Sequence, residues 1–225
     1  MIYRHLPLIV LLLCTACAEE PEPAPPTAVA VVVASPPPPP APPAVTSLVL
    51  ADLVQPGDTL EAVRTRLGLS NAVAGKVPGA EGEELDGWIL YPDDPARRVS
   101  VYLDEAGLPT MLKVEDEASG WQRADGVTIG MDSNALETRN GRAFEFSGFD
   151  WDYGGYINDW RGGAFAPQAQ PIGSVRLCPP EFAEGVYPEG YPSGDAAFAS
   201  DDPIVKAHPP KVCVFDLNLA SATAP

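Results

Sequence analysis

The residues with the clearest catalytic chemistry are two aspartates near the middle of the chain, Asp150 and Asp152. Side chains two residues apart point to the same side of a strand. Most glycoside hydrolases use such a pair of carboxyl groups, one as the acid and the other as the base or nucleophile. Asp150 and Asp152 therefore raise the hypothesis of a carboxylate-dependent hydrolase, and an exposed acidic hairpin is the alternative.

Metal and histidine chemistry has little support in this sequence. The segment that starts at Asp150 partly resembles a calcium loop, but Arg161 stands at its twelfth position, where a bidentate glutamate belongs. After removal of an N-terminal signal one histidine remains, His208, in a loop rich in proline. A catalytic triad requires a nucleophile and an acid beside the histidine. We therefore expect a solvated or capping role for His208, no metal site and no cofactor.

The densest feature is a run of seven aromatic residues between Phe144 and Trp160. Aromatic side chains dominate small cores, and they are also enriched at protein interfaces. An aromatic platform flanked by aspartates also suits sugar rings, so a core, a protein interface and a glycan site all remain open. The predicted binding residues are Trp88, Tyr91, Asp150, Trp151, Asp152, Tyr153, Tyr156 and Trp160.

The net charge limits the class of partner. Thirty-one acidic residues against 14 basic ones give a net charge of −17. Nucleic-acid binding and adsorption to anionic lipid both require basic surfaces, so we predict neither. An acidic surface instead attracts basic proteins over long distances.

The first residues are typical of an export signal. Arg4 precedes an apolar run over residues 6–13, which is too short to span a bilayer. The segment Leu13-Cys14-Thr15-Ala16-Cys17 that follows resembles a bacterial lipoprotein signal. The resemblance implies cleavage after residue 16, acylation of Cys17 and, because Ala18 is not aspartate, a location in the outer membrane facing the periplasm. An ordinary signal peptide, the inner membrane and the cell surface remain alternatives.

Residues 17–45 are predicted to be a lipidated cysteine and a stiff linker. Eleven of the 27 prolines lie between Pro21 and Pro43. Proline removes a backbone donor and restricts the residue before it, so this stretch forms neither a helix nor a central strand. An extended chain of this length reaches about 80 Å. The apolar interruption over residues 28–34 is either unstructured or a short strand that docks on a sheet edge.

Two cysteines remain in the body of the exported chain, Cys178 and Cys213. An even pair in an oxidising compartment predicts a disulfide. The loop-entropy model gives such a bond about 3–4 kcal/mol of stabilisation. A redox-active pair is the alternative, although the spacing C-x-x-C is absent.

Two similar segments predict short helices, residues 57–68 and residues 130–141. In the first, Asp58 or Thr59 caps the start and a terminal glycine ends the helix. The second has the same arrangement, with Asp132 or Ser133 as the cap. Five of the twelve paired positions are identical, which indicates either a repeat or shared helix chemistry.

Strands are predicted after each helix. Apolar and polar residues alternate over 99–103 and again over 108–114, with a turn at 104–107, which predicts a hairpin preceded by a strand at 88–91. Further strand candidates are 144–151, 153–160, 174–178 and 212–219.

The order of a glycine-bounded helix and a hairpin resembles the small α+β domain of SmpA/OmlA (BamE-like) outer-membrane lipoproteins. Its tandem use also resembles the repeats of β-lactamase-inhibitory proteins. The resemblance implies an α+β fold of two helix-plus-antiparallel-hairpin units behind the linker, over residues 46–118 and 119–225. It further implies a non-catalytic scaffolding role at the outer membrane.

We therefore predict a membrane-anchored lipoprotein that binds a protein partner at the cell envelope. An inhibitor or sensor of a basic exported protein or a cell-wall glycan is the alternative.

Overall fold

The protein has an α+β fold in which antiparallel strands predominate. A computed structural model describes residues 48–166 and 172–219. The α-helices of these residues are α1 (Leu60–Leu67), α2 (Ser133–Asn140) and α3 (Pro203–Ala207). The strands are β1 (Leu48–Val49), β2 (Ala72–Pro78), β3 (Glu84–Leu90), β4 (Val99–Leu103), β5 (Pro109–Val114), β6 (Trp121–Gln122), β7 (Glu145–Ser147), β8 (Ile157–Asp159), β9 (Val175–Cys178), β10 (Ala197–Ala199) and β11 (Lys211–Asn218).

Six strands form the main sheet in the order β2-β3-β4-β5-β11-β9, and each neighbouring pair is antiparallel. A smaller antiparallel sheet has the order β10-β7-β8, and β1 pairs with β6 in parallel. Strands β9 and β11 lie beyond the predicted boundary at residue 118. Both of the predicted units therefore contribute strands to the main sheet.

The main sheet has one buried face and one that is partly open. Val101 and Leu112 are partners across β4 and β5 and are fully buried, together with Leu136 of α2. Because successive side chains alternate between the faces of a strand, Tyr102 and Lys113 lie on the opposite face and are only partly buried. This second face carries a groove that Tyr102 and Lys113 help to line.

Both predicted helices are confirmed, with their caps. The side chain of Thr59 accepts a hydrogen bond from an amide of the first turn of α1, and Asp132 does the same for α2. Gly68 and Gly141 follow the last helical residues, with φ of 100° and 77°. Asp58, the other cap candidate, instead pairs with a basic side chain of α1.

The predicted hairpin is also confirmed as β4 and β5. Its turn is held by the Asp104 carboxylate, which accepts hydrogen bonds from the amides of Ala106 and Leu108, both at 2.9 Å. Gly107 takes the left-handed conformation with φ of 78°. An aspartate at the start of a turn and a glycine near its end are typical of this geometry.

Several other strands differ from the prediction. The strand predicted over 144–151 is limited to β7, because the chain turns at Asp150 with φ of 68°. The strand predicted over 153–160 is limited to β8, since Gly155 has φ of 80°. The strand at 88–91 begins earlier, as β3, and ends before Tyr91, whose φ is 48°.

The sequence pattern predicts neither β2 nor α3. Strand β2 lacks clear alternation, because Gly75 interrupts it. Helix α3 has proline at its first position and Asp202 as its cap, and the Asp202 carboxylate accepts from the Ile204 amide at 2.9 Å. Both features are ordinary start signals of a helix, but the helix is only five residues long.

The predicted disulfide between Cys178 and Cys213 is confirmed. It joins the neighbouring strands β9 and β11, where the Cα atoms of the two cysteines are 5.6 Å apart. Cys213 lies at an irregularity of the pairing, between Val212 and Val214. The bond therefore ties the edge strand β9 to its neighbour β11.

Thiol titration tests this bond. We expect no reactive thiol from Cys178 or Cys213 in unfolded, unreduced protein, and two after reduction, because the disulfide forms in the folded chain. The measurement is absorbance after reaction with an aromatic disulfide reagent. A Cys178→Ser variant, in which Cys213 has lost its partner, is the positive control. Two reactive thiols before reduction would contradict the bond.

The predicted signal peptide, Cys17 and the proline-rich linker lie outside the described residues. None of the helices within 48–166 and 172–219 has the length and apolar composition that a bilayer crossing requires.

Candidate functional site

A groove of about 1030 Å³ lies on the open face of the main sheet. We call it the aromatic groove. The strands contribute Tyr102, Met111, Lys113, Arg176 and Asp216. The end of the β2–β3 hairpin contributes residues 78–82 and Leu85. The loop between β7 and β8 contributes Trp151, Asp152, Tyr153 and Tyr156.

The strand residues of the groove follow from the sheet register. Tyr102 pairs with Met111 across β4 and β5, and Lys113 pairs with Asp216 across β5 and β11. Cross-strand partners project from the same face of a sheet. The Tyr102 hydroxyl also donates to the carbonyl of Pro78 at 2.6 Å, and so holds the β2–β3 hairpin end against this face.

The loop between β7 and β8 is held against β9 by backbone hydrogen bonds. The Leu177 amide donates to the Gly155 carbonyl at 2.8 Å, and the Gly155 amide donates to the Ser147 carbonyl at 2.9 Å. A Cβ atom on Gly155 would lie only 1.9 Å from the Leu177 carbonyl oxygen. Only glycine allows this approach, so Gly155 fixes where the aromatic side chains of the loop lie.

The aromatic side chains of this loop form one side of the groove. The rings of Trp151 and Tyr153 meet edge to face, with centroids 5.4 Å apart. The indole N–H of Trp151 donates to the Gly148 carbonyl at 2.9 Å, which orients the ring. Tyr153 is 64% exposed. Trp151 is partly buried and Tyr153 is exposed, so the pair presents aromatic surface to the groove.

Lys113 keeps its positive charge in the groove. Burial lowers the pKa of the Lys113 ammonium, but the hydrogen bond to Glu115 and the charge of that carboxylate raise it above its usual value overall. The Nζ atom lies 3.0 Å from a Glu115 oxygen. Burial, together with the Glu115 charge, raises the pKa of Tyr102 against the opposing effect of Lys113. Both groups therefore stay protonated at neutral pH.

Ser174, on the chain segment before β9, holds the Asp216 carboxylate. The Ser174 amide donates to one Asp216 oxygen at 2.6 Å, and the Ser174 hydroxyl donates to the other. Asp216 is 9% exposed. Both of its oxygens thus already accept hydrogen bonds within the protein.

The structure brings four of the predicted binding residues together. Trp151, Asp152, Tyr153 and Tyr156 all line the aromatic groove. They lie close in sequence, but the sheet face opposite them comes from distant strands.

Three other predicted binding residues pack into the interior. Trp88 is 5% exposed and belongs to the core. Tyr91 packs against the core and lies beneath the Arg97 guanidinium, whose carbon is 4.3 Å from the ring centroid. Trp160 packs between Phe144 and Phe165, at 5.2 and 5.0 Å between centroids. Their aromatic area stabilises the core.

Asp150, the remaining predicted residue, faces away from the groove lining. Its carboxylate accepts a hydrogen bond from the Tyr187 hydroxyl at 3.0 Å. Burial, this hydrogen bond and the Asp150 charge raise the pKa of Tyr187 to about 12. Of the two aspartates of the hydrolase hypothesis, only Asp152 lines the groove.

His208 caps the C-terminus of α3. Its carbonyl accepts a hydrogen bond from the Tyr191 hydroxyl at 3.0 Å, and its ring meets Phe182 edge to face at 5.4 Å. These contacts fix the long segment between β9 and β10. Burial and the neighbouring Tyr187 raise the pKa of Tyr191.

Sequence reasoning missed the groove residues that the strands contribute, Tyr102, Met111, Lys113, Arg176 and Asp216. A signal for two of them was present, since Tyr102 and Lys113 are at polar positions of the alternating hairpin. A polar face of a hairpin normally contacts water. The β7–β8 loop and the end of the β2–β3 hairpin turn this face into a groove.

Within the described part of the chain, no group of three or more His, Cys, Asp or Glu side chains could hold a metal ion. Comparisons with protein-family models, with curated proteins and with solved structures found no match.

Proposed function

We propose that this chain is an exported, lipid-anchored and non-catalytic module that binds a protein partner in the aromatic groove. The observation that carries the proposal is the edge-to-face pair of the partly buried Trp151 and the exposed Tyr153, on one side of a groove that also contains Arg176. Trp, Tyr and Arg are the residue types that contribute most binding energy at protein interfaces.

The opposite side of the groove fits the same role. Leu85 is 39% exposed and lines the groove at the β2–β3 hairpin end. Aromatic residues and arginine are enriched at protein interfaces, and the groove brings both together with Leu85. The hydrogen bonds of Tyr102 and of Gly155 fix both sides in advance, which reduces the entropy lost on binding.

The anchor and the linker define where the module acts in this proposal. Acylation of Cys17 holds the chain in the outer membrane, and two or more acyl chains anchor stably. The extended linker lets the groove face the periplasm at up to about 80 Å from the membrane. The resemblance to BamE-like lipoproteins, with two tandem helix-plus-hairpin units, is consistent with scaffolding in this compartment.

Metabolic labelling tests the anchor. We expect a fatty-acid analogue to label the wild-type chain and not a Cys17→Ser variant, because acylation requires the thiol. The measurement is in-gel fluorescence after coupling of a dye to the analogue. Equal labelling of the two proteins, or none of the wild type, would contradict the anchor.

Site-specific crosslinking tests the binding function. A photoreactive phenylalanine at position 153 should form a covalent product with one envelope protein in cells, because Tyr153 is at the exposed side of the groove. The same amino acid at Leu69, which is 72% exposed and does not line the groove, is the matched control. The product should disappear in a Trp151→Ala background. A product that forms equally from both positions would contradict binding in the groove.

The alternative function is an inhibitor or sensor of a basic exported protein or a cell-wall glycan. The net charge of −17 favours a basic protein, and the aromatic rings favour a glycan. Attraction between an acidic surface and a basic partner weakens with salt. A crosslinked basic partner whose capture is lost at high ionic strength would support this alternative.

A further inference from the structure

Arg176 lies in the aromatic groove with its guanidinium held in place. Its Nε–H donates to the Gly154 carbonyl at 2.7 Å. Its Cζ atom lies 5.4 Å from the centroid of the Tyr156 ring, within the range of a cation–π contact. These two contacts with the β7–β8 loop orient the flat guanidinium and leave its two Nη groups without a hydrogen bond to a described residue.

The charge of Arg176 is unpaired among the described residues. Nine of the described basic side chains have a carboxylate oxygen within 4.0 Å, and Arg176 is not one of them. The only hydrogen bond that its side chain makes to a described residue is the one from Nε. Arg139, Arg142 and Lys211 also have no described carboxylate within this distance, but Arg176 alone of these four lines the groove.

None of the acidic residues that line the groove forms a salt bridge with Arg176. Both Asp216 oxygens accept from Ser174. Asp152 and Glu81 are exposed to solvent, and neither lies within salt-bridge distance of Arg176. Lys113 is already paired with Glu115. Of the two basic side chains that line the groove, Arg176 is therefore the one without a carboxylate partner among the described residues.

We propose that Arg176 binds a carboxylate of the polypeptide that occupies the aromatic groove, an inference that rests on the proposed function. The two Nη groups form a planar fork that matches the two oxygens of a carboxylate. Trp151 and Leu85 receive the apolar side chains next to that carboxylate. A polypeptide with a carboxylate fits better than a neutral sugar, because a neutral sugar has no negative charge to pair with the guanidinium.

The test uses the purified full chain and small peptide probes in NMR titrations. The probes are N-acetyl-Tyr-Glu-amide and its uncharged analogue N-acetyl-Tyr-Gln-amide. The signals followed are the Arg176 Nε–H and the Trp151 indole N–H. We expect the glutamate peptide to bind about tenfold more tightly, the factor expected for one net charge-assisted hydrogen bond.

Three variants assign this preference to Arg176. In Arg176→Gln the two peptides should bind equally, and Arg176→Lys should keep part of the preference, since it keeps the charge without the fork. Arg142→Gln, an exposed arginine that bonds only the Arg161 carbonyl, should behave as wild type. An unshifted Trp151 indole signal in the free Arg176 variants would show that the loop is intact.

Defined outcomes overturn the inference. Equal binding of both peptides to wild type would refute it. An Arg176→Gln protein that still prefers the glutamate peptide, while its Trp151 indole signal is unshifted, would also refute it. An oligogalacturonate that binds through Arg176 more tightly than either peptide would refute the polypeptide ligand. If the crosslink from position 153 persists in Arg176→Gln, the carboxylate inference fails while the proposed function stands. If no crosslink forms in wild type, the proposed function itself fails.

Discussion

Replacing Gly155 with alanine is expected to lower the free energy of unfolding by about 4–5 kcal/mol. Gly155 has φ of 80°, which any residue with a Cβ adopts at a cost. The added Cβ would also lie 1.9 Å from the Leu177 carbonyl oxygen, which is a backbone atom of β9. Either the β7–β8 loop or β9 must therefore move. Urea unfolding followed by tryptophan fluorescence measures the loss.

Gly162→Ala is the matched control for this prediction. Gly162 has φ of 70°, and a Cβ there would have 3.9 Å to its nearest neighbour, an arginine nitrogen. It therefore carries the conformational cost without the clash, and we expect a loss of only about 1–2 kcal/mol. Equal losses for the two variants would show that the contact with Leu177 is unimportant.

The same substitution should remove binding. Trp151, Tyr153 and Tyr156 are carried by the loop that Gly155 fixes to β9. If Gly155→Ala folds, we expect crosslinking from position 153 to be lost, whereas Gly162→Ala retains it. Retained crosslinking in a folded Gly155→Ala protein would show that the loop position does not define the groove.

Replacing Arg123 with methionine is expected to cost about 3–5 kcal/mol of stability. Arg123 is only 2% exposed, and three of its hydrogen bonds, at 2.7 to 3.1 Å, go to the Asp125 carboxylate. Its Nη1 also donates to the carbonyls of Gly173 at 3.3 Å and Ser174 at 3.2 Å. The variant leaves a largely buried carboxylate and two carbonyls without their donor. Urea unfolding again measures the change.

Two further variants separate the charge from the packing. Arg142→Met removes an exposed arginine that bonds one carbonyl, and should change stability by less than about 0.5 kcal/mol. The double variant Arg123→Met with Asp125→Leu removes the whole ion pair and should recover part of the loss. A loss below about 1 kcal/mol for Arg123→Met would contradict a buried pair that holds the segment before β9.

Arg123 also connects this buried pair to the groove. It bonds the carbonyl of Ser174, whose amide and hydroxyl hold the Asp216 carboxylate. Arg123 itself does not line the groove. It acts there only by holding the chain segment that positions Asp216.

Local patterns predicted a large part of the fold. The caps and glycine stops of α1 and α2 depend on residues close together in sequence, and so do the alternation and turn of β4 and β5. The pairing of the two cysteines follows from their number. The misplaced strand ends have a common cause. Tyr91, Asp150 and Gly155 have positive φ, and two of the three are residues that rarely adopt it.

The aromatic groove was only half predictable. The aromatic segment was identified, but not which of its side chains are buried and which line the groove. Phe144, Phe146 and Phe149 are buried, while Trp151 and Tyr153 line the groove. Alternation cannot separate these groups, because the chain leaves the strand after Ser147 and turns.

The order of residues along the chain alone determined the local elements, the disulfide partners and the aromatic character of the segment that bears Trp151 and Tyr153. The tertiary structure decided that β11 lies between β5 and β9, and that the β7–β8 loop rests on β9. These pairings join residues far apart in sequence, and their stability depends on burial and long-range hydrogen bonds that no local pattern encodes. Arg176, Lys113 and Asp216 become neighbours of the aromatic residues only through those pairings.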